Sequence, residues 1–164
     1  MTAAKSNIRR GTVADELVKA LALYEKEPDA VLATEESLTK TLFGDVQYAR
    51  VYIAETDDGV PAGMALYFYN YSTWKGKPGI YLEDLFVKPE YRGRGLGGAL
   101  IAALAEELIA IDGGRLEWSV LKWNTPSIKF YESLGARAMV EWDIMRVDGD
   151  SLVELAKRSP GVRE

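Results

Sequence analysis

The chain has 164 residues, 48% of them hydrophobic, which suits one ordinary domain with a buried core. It contains no cysteine and no histidine, which excludes disulfides, thiolate nucleophiles and Ser-His or Cys-His pairs and removes the commonest metal ligand. The net charge of -5 disfavours nucleic acid as a partner, and no apolar run approaches the ~20 residues that span a bilayer. We therefore expect a cytoplasmic protein without metal or membrane contact, whose acids and bases are Asp, Glu, Tyr or Lys.

Capping residues, turn residues and apolar periodicity predict alternating strands and helices. Thr12 or Asp15 caps the first helix, and Asp57-Asp58-Gly59 is a hairpin turn. Thr125 and Gly135 bracket a short later helix. In chain order the predicted elements are strand 8–10, helix 12–24, helix 34–43, strands 50–55, 62–71 and 80–87, helix 96–111, strand 115–120, helix 125–134, strand 137–147 and helix 151–157.

Three antiparallel strands, at 50–55, 62–71 and 80–87, precede a strand-helix-strand crossover that ends at 115–120. A long crossover of this kind joins parallel strands. The chain is therefore predicted to be α/β, with a mixed, mostly antiparallel central sheet flanked by helices. We expect residues 1–164 to form a single domain with a core of about 8–156 and flexible termini.

The loop Arg92-Gly93-Arg94-Gly95-Leu96-Gly97-Gly98 lies between a predicted strand and a predicted helix. Backbone N–H groups at a helix N-terminus bind anions and the helix dipole favours negative charge there, so the loop is predicted to hold phosphates. Gly93-x-Gly95-x-x-Gly98 also matches the dinucleotide fingerprint, but residues 88–92 separate it from the strand and antiparallel strands precede it. A glycine-rich loop with a purely structural role is the other alternative.

Glu83 and Asp84 interrupt a strand otherwise made of Ile, Tyr, Leu, Phe and Val. Strict alternation places them on opposite faces, so at least one carboxylate is expected to be buried or in a cleft; the alternative is an edge strand with both acids solvated. In a chain without histidine, such a carboxylate is the leading candidate for a general base.

Four segments carry a resemblance to a known family. They are Tyr67 to Lys77, Tyr81 to Val87, Tyr91 to Gly97, which contains Arg92-x-x-Gly95-x-Gly97, and Trp123 to Tyr131. Together they resemble the GCN5-related N-acetyltransferase (GNAT) superfamily, and within it the diamine (spermidine/spermine) acetyltransferase branch, which includes relatives acting on thialysine. Ser72-Thr73-Trp74 departs from the Asp-Pro-Trp of polyamine-selective members and is closer to the thialysine-type relatives.

The resemblance implies acetyl-CoA as co-substrate, a small cationic amine as acceptor, a homodimer, and a sheet splayed between its fourth and fifth strands. A bulge near Glu83 and Asp84 would open the sheet and turn an N–H towards the thioester carbonyl. Acetylation of protein lysines or of an amino acid is the alternative within enzymes. A non-catalytic acyl-CoA-binding domain is the alternative outside them.

The resemblance also assigns roles to individual residues. Glu83 is implied as the general base, and Tyr131 as the acid that protonates the leaving thiolate of coenzyme A. Substrate contacts are implied for Tyr24, Glu25, Glu83, Asp84 and Glu117. Coenzyme A contacts are implied for Leu85, Phe86, Val87, Arg92, Gly93, Arg94, Gly95, Leu96, Gly97, Gly98, Asn124, Ser127 and Tyr131.

Overall fold

A computed structural model describes residues 7–11 and 34–161. Its internal contacts divide the chain into two compact units, Met1–Asn124 and Thr125–Glu164. The helix predicted at 12–24 lies outside the described residues, and so do Tyr24 and Glu25. In the described part of the chain, no helix is both long and apolar enough to cross a membrane.

The first unit is built on one five-stranded sheet with the order β1-β2-β3-β4-β5. The strands are β1 (Asn7–Arg10), β2 (Arg50–Glu55), β3 (Pro61–Ser72), β4 (Lys77–Val87) and β5 (Leu116–Trp118). Neighbours from β1 to β4 pair antiparallel, whereas β4 and β5 pair parallel. The predicted mixed, mostly antiparallel sheet is therefore confirmed, and β5 is shorter than predicted.

The described part of this unit also contains α1 (Glu35–Phe43) and α2 (Leu96–Ala110). Thr34, the predicted first residue of this helix, is its N-cap: its hydroxyl accepts from the Ser37 N–H at 3.1 Å, and the Ser37 hydroxyl accepts from the Thr34 N–H at 2.9 Å. This reciprocal capping box satisfies two backbone donors that the helix itself cannot satisfy. Gly44 follows the last helical residue, which confirms the predicted end of α1.

The core is formed by the apolar sides of the sheet and of the two helices. One buried cluster combines α1 with the strands through Leu42, Val51, Ile53, Met64, Leu66 and Phe86. Along α2, Leu96, Leu100, Leu104 and Leu108 recur every fourth residue and are all buried. That spacing places them on one face of the helix. Complete burial of one such leucine contributes roughly 1.5–3 kcal/mol, so this stripe holds α2, and the loop before it, in place.

Glu107 connects the second half of α2 to the first three strands. Its carboxylate accepts hydrogen bonds from the hydroxyl groups of Tyr52 (2.5 Å), Tyr67 (2.6 Å) and Tyr69, and it lies in ion-pair range of Arg10 (3.4 Å) and Arg50 (3.5 Å). Burial alone would raise the pKa of Glu107, but the three hydroxyl donors and Arg10 outweigh burial and hold that pKa below its ordinary value. Burial, followed by the bond to Glu107, raises the pKa of Tyr67 far above that of an ordinary phenol.

The second unit contains α3 (Thr125–Ser133) and α4 (Gly149–Ala156). The strand predicted at 137–147 is wrong, because the residues between these helices form no strand. A strand is completed by backbone hydrogen bonds to a neighbouring strand, and the described residues of this unit supply none. The apolar side chains behind the prediction are exposed, as Trp142 (65%) and Met145 (90%) show.

Candidate active site

A single 3-10 turn, Pro89–Tyr91, and a glycine-rich loop join β4 to α2. Gly93 and Gly95 take φ angles of 74° and 82°, which residues with a side chain rarely adopt. Gly95 is the N-cap of α2, no side chain caps the helix, and its first turn contains no acidic residue. The helix therefore starts with backbone donors and the positive end of its dipole directed at the space before it, which suits an anion.

The space next to the glycines is open. A Cβ atom built on Gly93, Gly95 or Gly98 would meet nothing within 4 Å in the described structure. Gly98 lies in the first turn of α2 and does not have a positive φ, so neither its conformation nor its packing requires a glycine. A glycine is required at this position if a ligand approaches the backbone closely, because a side chain would occupy the space of the ligand. We call the segment 92–98 the phosphate cradle.

Two arginines support the cradle from the side of β4. Arg92 Nε donates to the carbonyl oxygen of Val87 at 2.9 Å. Arg94 donates to the carbonyl oxygen of Glu90 at 3.1 Å, and its guanidinium carbon lies 5.2 Å from the centre of the Tyr91 ring. Both arginines are exposed. They add positive charge beside the start of α2, where charge-assisted bonds to phosphate would be strong.

The sheet opens next to the cradle. Pairing between β4 and β5 covers only three residue pairs and ends at Leu82 and Trp118. At the same point the register with β3 shifts: Leu66 is opposite Asp84 but the next residue of β3 is opposite Leu82, so Glu83 is the extra residue of a β-bulge. The bulge predicted near Glu83 and Asp84 is confirmed, and the splay begins where the bulge lies.

Strand geometry decides which peptide groups of β4 face the opening. The Lys88 N–H donates to the carbonyl oxygen of Ala62 in β3 at 2.9 Å, so by alternation the backbone of Phe86 also faces β3. Leu85 and Val87 therefore direct their N–H and C=O groups to the opposite edge, which pairs with no strand in the described residues. The Val87 carbonyl oxygen already accepts from Arg92 Nε, so the N–H and C=O of Leu85 and the N–H of Val87 are the groups that can bind an extended, amide-containing ligand. The Phe86 side chain is buried in the core.

The predicted acidic residues of the first unit have different environments. Glu83 is exposed, because the bulge removes it from the regular alternation, and Asp84 is half-buried. Glu117 accepts a hydrogen bond from Asn70 at 2.9 Å and pairs with Arg115 at 2.7 Å. An incoming cation at Glu117 would therefore compete with an arginine. No group of three or more His, Cys, Asp or Glu side chains in the described ranges could hold a metal ion.

The remaining predicted residues are Asn124, Ser127 and Tyr131. Asn124 ends the first unit, in a turn closed by its N–H donating to the carbonyl oxygen of Leu121 at 2.8 Å. Ser127 and Tyr131 belong to α3 of the second unit and are half-buried. The Tyr131 ring lies 5.3 Å from the Phe130 ring, which orients it on the helix.

One contact beside the opening has no signal in the sequence. The hydroxyl groups of Tyr81 and Ser119 are 2.7 Å apart, and Ser119 directly follows the last residue of β5. Tyr81 also stacks on Phe68, with ring centres 5.2 Å apart. This bridge connects β4 and β5 at the point where they separate. Its partners are 38 positions apart, so no local pattern could have paired them.

Comparison with known proteins gives a consistent result. The profile of the family described as "Acetyltransferase (GNAT) family" matches residues 14–136. The thialysine N-epsilon-acetyltransferase of Bos taurus is 41% identical over 152 residues, which cover 85% of this chain and 88% of that protein. The spermidine/spermine N(1)-acetyltransferase-like protein 1 of Homo sapiens is 32% identical, over 85% of this chain and 21% of that protein. An integron cassette protein from the mobile metagenome of V. cholerae has a similar structure, with a TM-score of 0.74, 28% identity and coverage of 93% of this chain and 98% of that one.

Proposed function

The chain belongs to the GNAT acetyltransferase family, and we propose that it transfers the acetyl group of acetyl-CoA to an amine of a small cationic substrate of the thialysine or polyamine type. The observation that carries the substrate class is the 41% identity with the bovine thialysine enzyme over most of both chains. Family membership implies acetyl-CoA as the co-substrate. Between the two substrate types we favour thialysine, because the similarity to the human spermidine/spermine-like protein is lower.

The cradle and the open edge of β4 are the proposed coenzyme A site. The pyrophosphate would lie at the start of α2, held by the N–H groups after Gly95 and by Arg92 and Arg94. The amide-containing pantetheine arm would extend along Leu85 and Val87, whose backbone groups face the opening. Asn124 and Ser127 are proposed as further contacts. This arrangement would place the thioester next to the bulge at Glu83.

The proposed chemistry is direct transfer in a ternary complex. The neutral amine nitrogen attacks the thioester carbonyl carbon, the C–S bond breaks, and the acetyl group remains on the nitrogen. Glu83 accepts the proton that the amine must lose, directly or through a water molecule. Its exposed position at the bulge leaves the carboxylate accessible to the amine and to water. Tyr131 donates a proton to the leaving thiolate. With ordinary pKa values near ~10 for a phenol and ~8.5 for a thiol, this transfer is uphill by only about 1.5 pKa units, roughly 2 kcal/mol, which is a small part of a reaction barrier.

The acceptor amine would be bound by carboxylates. Glu83, Asp84 and Glu117 supply negative charge within the first unit, and Tyr24 and Glu25 are proposed to complete the pocket. Because Arg115 already neutralises part of the Glu117 charge, we assign the main attraction to Glu83.

An amine panel tests the substrate class. Thialysine, spermidine, lysine and a histone-tail peptide are each assayed with acetyl-CoA, and we expect the highest kcat/KM for thialysine. Acetylation of the peptide alone would instead support a protein-lysine acetyltransferase. Calorimetric binding of coenzyme A without transfer to any amine would favour the non-catalytic alternative.

Two substitutions test the roles in catalysis. Glu83→Gln and Tyr131→Phe should each lower kcat by about 10²-fold or more, the usual contribution of a general acid or base, with an unchanged circular dichroism spectrum. Glu90→Gln is the matched control, because Glu90 is an exposed acid in the turn after the same strand. Equal kcat values for wild type and both variants would refute the assignments.

We also propose that the protein works as a homodimer. Within the second unit, large apolar side chains are exposed, with Val140 at 88% and Met145 at 90%. Burial of such side chains against a second subunit would be favourable. Light scattering after size-exclusion chromatography should give twice the mass of the 18.2 kDa chain, and a monomer at micromolar concentration would contradict the proposal.

A further inference from the structure

A cavity of about 450 Å³, wide open to solvent, lies between the second half of α2 and strands β1 to β3. Its volume falls within the range of small-molecule sites. Glu107 lines it and lies 11 residues after Leu96, the first residue of α2 (107 minus 96). At a rise of 1.5 Å per residue, the cavity is therefore about 16 Å along the helix from the phosphate cradle. It is separate from the proposed coenzyme A site.

The carboxylate in the cavity wall is already saturated. Glu107 accepts from three tyrosine hydroxyl groups, and its side chain is only 10% exposed. A carboxylate has about four lone-pair positions, so three hydroxyl donors and two nearby guanidinium groups leave it little capacity for a further cation. The cavity is thus poorly suited to an amine, in contrast to the acidic residues beside the bulge.

The two arginines of the wall are held in place by tyrosines. Arg10 donates to the hydroxyl of Tyr67 at 3.0 Å, and its guanidinium carbon lies 5.1 Å from the centre of the Tyr52 ring. Arg50 donates to the hydroxyl of Tyr69 at 3.0 Å, and its guanidinium carbon lies 4.9 Å from the centre of that ring. Such cation–π and hydrogen-bond contacts already restrict each arginine, so the arginine loses less conformational entropy when it binds a ligand.

The same arginines are incompletely paired with Glu107. Their nitrogens lie 3.4 and 3.5 Å from its oxygens, beyond the usual 2.7–3.2 Å of a good N–H···O bond. The Nε and Nη2 groups of Arg50 make no hydrogen bond to the described part of the chain. The side chains are 55% and 40% exposed, so their remaining donors can be reached from solvent.

From these contacts we infer that the cavity is a binding site for a small oxyanion, a carboxylate or a phosphate, held between Arg10 and Arg50. The planar fork of a guanidinium matches two oxygens of either group. The charged groups of the lining are two guanidinium groups and two carboxylates, so they balance in number. Glu107 is saturated by hydroxyl donors, whereas Glu106 is exposed at the rim, where it opposes an anion. This inference does not depend on the proposed transferase activity.

Calorimetric titration of the full chain with citrate, and separately with inorganic phosphate, tests the site. We expect saturable binding of at least one of them, weakened tenfold or more by Arg50→Gln. Glu106→Gln should tighten the same binding, because it removes the opposing charge. Arg158→Gln removes an equal positive charge from an exposed position in the second unit and should leave the affinity within twofold of wild type.

Arg94→Gln distinguishes this cavity from the cradle, where phosphate would also bind. Binding that Arg94→Gln abolishes and Arg50→Gln leaves unchanged would overturn the inference, as would equal weakening by Arg50→Gln and Arg158→Gln. No detectable heat with either anion at concentrations up to about 10 mM, where Kd values of about 1 mM are readily seen, would also overturn it. Circular dichroism shows whether each variant folds. If Arg50→Gln does not fold, the tighter binding expected for Glu106→Gln tests the site independently.

Discussion

The glycines of the cradle offer a direct test of how the loop binds its ligand. Gly98 has no positive φ and open space beside it, so Gly98→Ala meets no obstacle within the described chain. Alanine in a helix is more favourable than glycine by about 0.5–1 kcal/mol. We therefore expect Gly98→Ala to raise the unfolding free energy by that amount and Tm by roughly 1–4 °C. The added methyl group, however, would occupy the space of a phosphate.

Gly98→Ala is expected to weaken coenzyme A binding, although it stabilises the fold. A charge-assisted hydrogen bond to a phosphate contributes about 1.5–3 kcal/mol, so displacement of the phosphate from one N–H should weaken binding by roughly 10- to 100-fold. Calorimetric titration with coenzyme A measures the affinity, and urea denaturation measures the stability. A variant that is more stable and binds coenzyme A as tightly as wild type would refute a close approach of the ligand to α2.

Two further glycines separate conformational strain from ligand contact. Gly95→Ala forces alanine to φ 82°, at a cost of about 1–2 kcal/mol, and should also weaken coenzyme A binding. Gly59→Ala is the matched control, because Gly59 has φ 76° and equally open surroundings but lies in the hairpin turn. It should lose similar stability with unchanged affinity. A loss of affinity in Gly59→Ala would mean that strain acts on the site from a distance.

Three predictions concern stability. Glu107→Gln should lower the unfolding free energy by about 1–3 kcal/mol at pH 7. The folded pKa of Glu107 lies below its ordinary 4.5, so the ionised carboxylate stabilises the fold fully above pH 4.5, and this stabilisation is lost as the pH falls through the lowered pKa. In urea denaturation across pH 2–7, the variant should therefore lose less stability on acidification than wild type. Gly79→Ala places a Cβ 2.2 Å from Asn70 Oδ1 and 3.1 Å from the Arg115 carbonyl oxygen, and should cost about 1–3 kcal/mol, which Asn70→Ala partly restores in the double variant. Thr34→Ala removes the capping box and should cost about 1 kcal/mol in the same denaturation assay. An unchanged midpoint in any of these would contradict the contact concerned.

Local signals predicted most elements of the first unit. Thr34 and Gly44 act within one helical turn of the residues that they cap, and the hairpin turn at residues 57–59 fixes the pairing of its two strands. The loop from Arg92 to Gly98 was predicted in the same way, because glycines directly before an apolar helical stripe are typical of an anion-binding helix start. The strand predicted at 137–147 failed because alternating apolar residues show only that a strand would be amphipathic, and not that a partner strand exists.

The sequence by itself determined which groups the proposed site offers: a glycine-rich loop before an apolar helix, a carboxylate pair, and no histidine or cysteine. Only the tertiary structure decided which peptide groups of β4 face the opening, because that depends on the register with β3 and on the extra residue Glu83. It likewise decided that Glu117 accepts a hydrogen bond from Asn70 and that Glu107 gathers three tyrosines from two strands. Such contacts join residues up to 55 positions apart, where chain folding brings groups together that no local pattern relates.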